Sequence, residues 1–121
     1  MTAVSVPQAA TVSPELQAAL LRFGNTLRAG RAGAHKGAAM PAAQREAWGA
    51  ALGDVDGYLA ARQVGEMSPF DVARAKVVLE AELEEDAVLW GDFPPEVAER
   101  AHGLLETLKG RLAQVNALKV R

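Results

Sequence analysis

The stretch Ser68–Pro95, SPFDVARAKVVLEAELEEDAVLWGDFPP, contains a helix start, a long helical pattern and a helix stop. Ser68 is a good N-cap, Pro69 suits the first helical position, and Asp71 stands at the capping-box acid position, shorter than the usual Glu. At about 100° per residue, Val72, Ala75, Leu79, Leu83 and Trp90 share one face, while Val77, Ala81 and Val88 lie nearly opposite. Carboxylates fill the flanks, Glu80 and Glu84 on one side, Glu82 and Glu85 on the other. A helix apolar on two sides is expected to be the most enclosed element, packed on sister helices by one face. Its second face is then expected to meet the N-terminal segment or another chain. Gly91 can end this helix, and Pro94-Pro95 can only begin another.

Asp86 sits at the edge of the main stripe, where a carboxylate needs a cationic or hydrogen-bonding partner. Arg45 and Arg62 flank the stripe of the preceding helix and are the expected partners. Glu80 with Glu84, and Glu82 with Asp86, are like-charge i, i+4 pairs that repel by roughly a few tenths of a kcal/mol each, so positive charge is expected nearby.

Working outward, Ser13-Pro14-Glu15 opens an earlier helix whose stripe is Leu16, Leu20, Phe23 and Leu27, with Gly30 as its expected stop. Pro41 opens a second, in which Trp48, Leu52, Val55 and Leu59 repeat the same spacing and Gly65 is the expected end. Gly49, Gly53 and Gly57 recur every fourth residue there, which suggests close backbone approach or a break near Gly53. The last helix carries Val97, Ala101, Leu104, Leu108 and Val115, widened by Leu105 and Leu112, with Lys109, Lys119 and Arg121 toward its C-terminal end. The expected fold is all-α: a single-domain four-helix bundle over residues 13–121, with helices near 14–29, 41–63, 69–90 and 95–118 and a flexible tail at 1–12.

The 121 residues suffice for one domain, and half are hydrophobic with only 5% aromatic, so the core is built from Leu, Val and Ala. The absence of cysteine excludes disulfides, thiolate metal sites and a cysteine nucleophile. MTAVSVPQAATV lacks a signal-peptide pattern and no stretch approaches a membrane span, so a soluble cytoplasmic protein is expected, with no membrane partner. Arg outnumbers Lys, and Ala and Gly abound, which suggests a bacterial source.

Charge is segregated behind a net value of −2. Between Leu16 and Arg45 the charges are Arg22, Arg28, Arg31, Lys36 and Arg45, with no acid; Asp54–Glu99 holds twelve carboxylates against Arg62, Arg74 and Lys76. Such ordering favours self-neutralisation on folding, or a basic lobe kept for a partner. GRAGAHKGAAM, residues 30–40, is the main loop; it lacks both the strand and the G-x-x-x-x-G-K-[ST] order of a P-loop, which leaves sequence-independent phosphate contact.

No catalytic, metal or cofactor motif stands out. Glu99-Arg100-Ala101-His102 has the Glu-x-x-His spacing of carboxylate-bridged di-metal bundles, but that chemistry needs a second copy and two more glutamates. Only a symmetric dimer adding Glu82 or Glu85 would complete it, and Glu99 and His102 both lie away from the Val97-Leu104-Leu108 stripe, beside Glu106. Ser13 and Ser68 are caps, and Ser5, Tyr58 and two histidines make a thin acid–base inventory. The corner at Gly65–Pro69 precedes an acidic helix, unlike a DNA-reading helix-turn-helix. We therefore expect no catalytic residue, no metal, no cofactor and no small-molecule substrate. The expected function is a non-enzymatic interaction module: an adaptor, accessory subunit or self-associating protein, with a homodimer as the simplest partner. Its partner-binding residues are expected to be Leu21, Val77, Ala81, Val88, Trp90 and Phe93. The alternative is a nucleic-acid-binding accessory protein touching phosphates through segments 22–45 and 109–121, at Arg28, Arg31, Lys36, Arg45, Lys109 and Arg111.

Overall fold

Two serines and two prolines set the helix starts as the sequence suggests. The Ser13 hydroxyl accepts from the Leu16 amide at 3.3 Å, and that of Ser68 from the Phe70 amide at 3.1 Å, with proline entering each first turn. The computed structural model describes residues 13–120, with side chains through Leu118. The tail expected at 1–12 lies outside the described residues, as do the side chains of Lys119 and Arg121.

Four helices make up the fold: α1 (Pro14–Arg31), α2 (Ala42–Ala61), α3 (Pro69–Leu89) and α4 (Pro95–Val120). A three-residue 3-10 turn, Val64–Glu66, joins α2 to α3. Boundaries differ slightly from expectation. α1 runs one residue past Gly30, α2 ends before Gly65, and α2 is unbroken at Gly53.

The main apolar stripe of each helix is inside. Leu16, Phe23, Leu27, Trp48, Leu52, Val72, Ala101 and Leu108 are completely buried, with Val55, Leu79 and Val115 almost so. Trp48 is the hub, its ring meeting Phe23 edge-on at 5.2 Å and Phe93 at 6.2 Å. Each such aromatic pair adds about 0.5–1.5 kcal/mol beyond the area it buries.

α1 packs on α2 and α3, and α4 packs on α3 and α2, which puts α2 and α3 across the diagonal of the bundle. α1 and α3 run parallel, since the start of α1 meets the start of α3 at Ser13 and Asp71, and their ends meet at Arg31 and Asp86. α2 runs antiparallel to both, with Trp48 against Asp86 and Tyr58 against Asp71.

The glycine-rich loop after α1 is not a free cradle. Two residues of it, Ala38–Ala39 (β1), pair in parallel with Trp90–Asp92 (β2), and the Gly37 amide donates to the Leu89 carbonyl at 2.7 Å. Gly37 adopts φ +92°, a conformation that favours glycine. Gly91 is needed for a different reason: a Cβ there would stand 2.3 Å from the Gly37 carbonyl oxygen. The loop is thereby fastened over the α3–α4 corner.

The expectation that α3 is the most enclosed helix is corrected. α3 buries seven residues, no more than α2, and three of its seven are acids. Only one of its faces is packed; Val77 and Val88 are 60% and 61% exposed. The glycine row of α2 is also corrected. No backbone approaches it, because the Arg100 guanidinium of α4 lies over Gly49 and Gly53, donating to the Gly49 carbonyl at 3.3 Å and reaching Asp56 at 3.6 Å.

Candidate interaction surface

The outer face of α3 is positioned by polar contacts on its inner face. Asp86 is fully buried and takes two donors: Arg31 Nε to Oδ1 at 2.5 Å and Trp48 Nε1 to Oδ2 at 2.6 Å. Arg31 continues to Glu82, its Nη2 donating to Oε1 at 2.7 Å and to the Glu82 carbonyl at 3.3 Å, while Nη1 lies 3.6 Å from Glu85. Burial works against the charge on Arg31, but the hydrogen bonds to Asp86 and Glu82 outweigh it, and the guanidinium pKa rises above its ordinary value. The repulsion between Glu82 and Asp86 is thus relieved by a cation from α1.

A second anchor sits one helix-length away. Asp71 Oδ2 accepts from the Tyr58 hydroxyl at 2.9 Å, and Oδ1 from the Ser13 amide at 3.1 Å. Burial, then the bond to Asp71 and its charge, push the Tyr58 pKa up to about 12. Arg62 stacks over that ring at 4.4 Å to its centre and pairs with Glu15. Two carboxylates of α3, near its two ends, therefore tie it to both α1 and α2.

Asp86 has the arginine partner the sequence required, but the identity is corrected. It is Arg31, not Arg45 or Arg62, because α1 lies beside α3 while those two arginines point elsewhere, Arg45 lying 3.9 Å from Glu96. Arg31 consequently leaves the set of exposed phosphate-contacting residues, its side chain being only 12% exposed. Of the others, Arg28 is exposed and 3.7 Å from Glu82, Lys36 is exposed on the loop, and Arg45 is exposed at the start of α2. Lys109 pairs with Glu106 at 3.3 Å, and Arg111 is half-buried. Arg28, Lys36 and Arg45 lie at the end of the bundle where α1 ends and α2 begins, Arg28 toward Glu82 of α3 and Arg45 toward Glu96 of α4. Lys109 and Arg111 lie farther down α4, toward the other end of the bundle, and α4 is diagonal to α1. The two basic segments do not converge.

The residues expected to bind a partner divide. Trp90 is buried at 4% exposure and closes the core beneath the α3–α4 corner, so it is withdrawn as a surface anchor; Phe93 is half-buried beside Trp48. Leu21 is exposed on α1, apart from the rest. Val77 and Ala81 line a groove of about 610 Å³ between α3 and α4, whose floor includes Leu83, Phe93 and Leu105. Val88, about two turns beyond Ala81, borders a second depression with Arg31 and Lys36. Sequence periodicity found Val77, Ala81 and Val88; it missed Ala98 and His102, which supply the α4 wall, because nothing local shows which helix lies alongside α3.

His102 faces this groove with Glu80 and Glu84 among its lining residues, and no group of three or more His, Cys, Asp or Glu side chains is arranged to hold a metal among the described residues. No helix among them is long and apolar enough to cross a membrane. Comparison with protein-family models, curated proteins and solved structures returned no match. The class of the molecule is accordingly that of its fold, an all-α bundle of four helices.

Proposed function

We propose that this chain is a non-enzymatic helical interaction module that docks a protein partner on the α3–α4 face. One observation carries the reading: an apolar groove opens to solvent along two antiparallel helices, edged by Val77 and Ala81, with Leu83 and Leu105 in its floor. Exposed apolar surface next to a packed core is retained where something covers it. The buried acids Asp71, Glu82 and Asp86 each accept from another helix, which supports a structural role for them over acid–base chemistry. Zero cysteines support a reducing compartment, with the cytoplasm as the simplest.

The reading is tested by placing a photo-crosslinking side chain at Val77, and separately at exposed Ala50 on α2, in the full chain in cells. A discrete protein adduct from position 77 but not from position 50 is the expected result, and its mass separates self-association from a second protein. No adduct, or the same adducts from both positions, overturns the proposal.

A further inference from the structure

Resting on that reading, we infer that the α3–α4 groove takes a cationic amphipathic helix of a different protein, its apolar residues on the groove floor and its Lys or Arg side chains over the rim. The shape is that of two neighbouring antiparallel helices, into which a third helix lays apolar residues spaced three and four apart. The floor offers Leu83, Phe93 and Leu105, and the wall Val77, Ala81 and Ala98.

Charge decides the kind of helix. Glu80 and Glu84 stand on the α3 rim of the groove, one turn apart on the same side, where they repel each other. Lys76 reaches Glu80 at 3.2 Å, whereas Glu84 has no cation within ion-pair distance among the described residues. On α4, Glu99 and Glu106 are exposed just outside His102; Glu106 pairs with Lys109, and Glu99 has no cation within ion-pair distance among the described residues. A cationic helix relieves this repulsion; an acidic partner or a nucleic acid adds to it.

The same charges argue against a second copy. A two-fold pairing of this face brings both sets of Glu80 and Glu84 together. The chain's own basic helix is unsuited as the donor, since Leu104, Leu108 and Val115 of α4 are already buried in its own core.

The test uses the full chain and three synthetic peptides: a leucine-patterned amphipathic helix carrying lysines, the same pattern carrying glutamates, and a scrambled lysine peptide of identical composition. Binding is followed by titration and by backbone amide shifts. The lysine helix is expected to bind, with shifts centred on Val77, Ala81 and Leu105. Ala81→Arg, and separately the pair Glu80→Lys with Glu84→Lys, are expected to weaken it by about tenfold or more, with the helical spectrum unchanged. The proposal is overturned if the three peptides bind alike, if either variant binds as tightly as the parent, or if the shifts map elsewhere. It is equally overturned if the parent forms a dimer that Ala81→Arg abolishes, or if residues 1–12 show contacts to Val77. If position 77 crosslinks to a protein but the lysine helix fails to bind, the interaction reading stands and the partner chemistry is wrong; if neither occurs, both fall.

Discussion

The Trp48 indole nitrogen donates to the Asp86 carboxylate at 2.6 Å, across the diagonal of the bundle and with neither group exposed. The opposite oxygen of the same carboxylate takes Arg31, so one acid joins three helices. Removing one partner of such a buried pair strands the other charge, which costs about 3–5 kcal/mol. Arg31→Met is expected to destabilise the fold by that amount in urea unfolding. Arg31→Lys, which keeps the charge but loses the forked geometry, is expected to fall between it and the parent.

Tyr58 is the single tyrosine, so absorbance near the phenolate band reports it alone. Its pKa in the fold is about 12 against an ordinary 10.0, because burial and the bond to Asp71 both require the protonated hydroxyl. The sign follows: the stabilisation is whole below pH 10 and is lost as pH rises through 10 toward 12. A rapid alkaline jump on folded protein should show phenolate appearing near pH 12, and near pH 10 once the chain is unfolded in urea. Tyr58→Phe should remove that alkaline loss and lower stability at neutral pH by about 1–2 kcal/mol. A folded-state midpoint at the ordinary value would contradict the Tyr58–Asp71 bond.

Glycines at two positions should respond in opposite directions. Gly91→Ala drives a methyl against the Gly37 carbonyl, backbone against backbone, and is expected to cost about 1–3 kcal/mol. It should also speed hydrogen exchange at the Gly37 amide, whose bond to Leu89 depends on that approach. Gly57→Ala on exposed α2 meets nothing within 4 Å and is expected to stabilise by about 0.5–1 kcal/mol. Thermal unfolding of the two variants, with exchange measured on the first, checks both directions.

Phosphate binding needs the two basic segments on one face. Arg28, Lys36 and Arg45 lie at one end of the bundle and Lys109 with Arg111 toward the other, and three of the five stand within 4 Å of a carboxylate. Mixed DNA and RNA fragments are expected to show no retardation at about 50 mM salt. Retardation that disappears on changing Arg28, Lys36 and Arg45 together to Ala would restore the nucleic-acid reading.

What was legible beforehand follows from physical range. Caps, prolines and helical stripes are local, and Leu16–Leu27, Trp48–Leu59, Val72–Leu83 and Val97–Val115 each disclose their buried side through spacing alone. The need of Asp86 for a cation was also legible, because a carboxylate at the edge of an apolar stripe carries a desolvation penalty wherever its partner comes from. The exposed Val77–Ala81 strip was visible as surplus apolar surface.

Which cation Asp86 takes was not legible, since that depends on α1 lying parallel beside α3 rather than on any spacing in the chain. The same holds for Asp71, which the sequence presents as a local cap residue but which bonds to Tyr58 and Ser13, and for Gly49 and Gly53 of α2, covered by Arg100. The candidate groove has half its wall on α4, and only packing could say that Ala98 and His102 line the same groove as Val77 and Ala81. The Ser68–Pro95 stretch by itself determined a capped helix, its apolar sides and its acid flanks, because those obey a 3.6-residue period. Tertiary structure alone decided which side is closed by Arg31 and Trp48 and which is left open beside α4, because contacts between helices depend on their adjacency and direction.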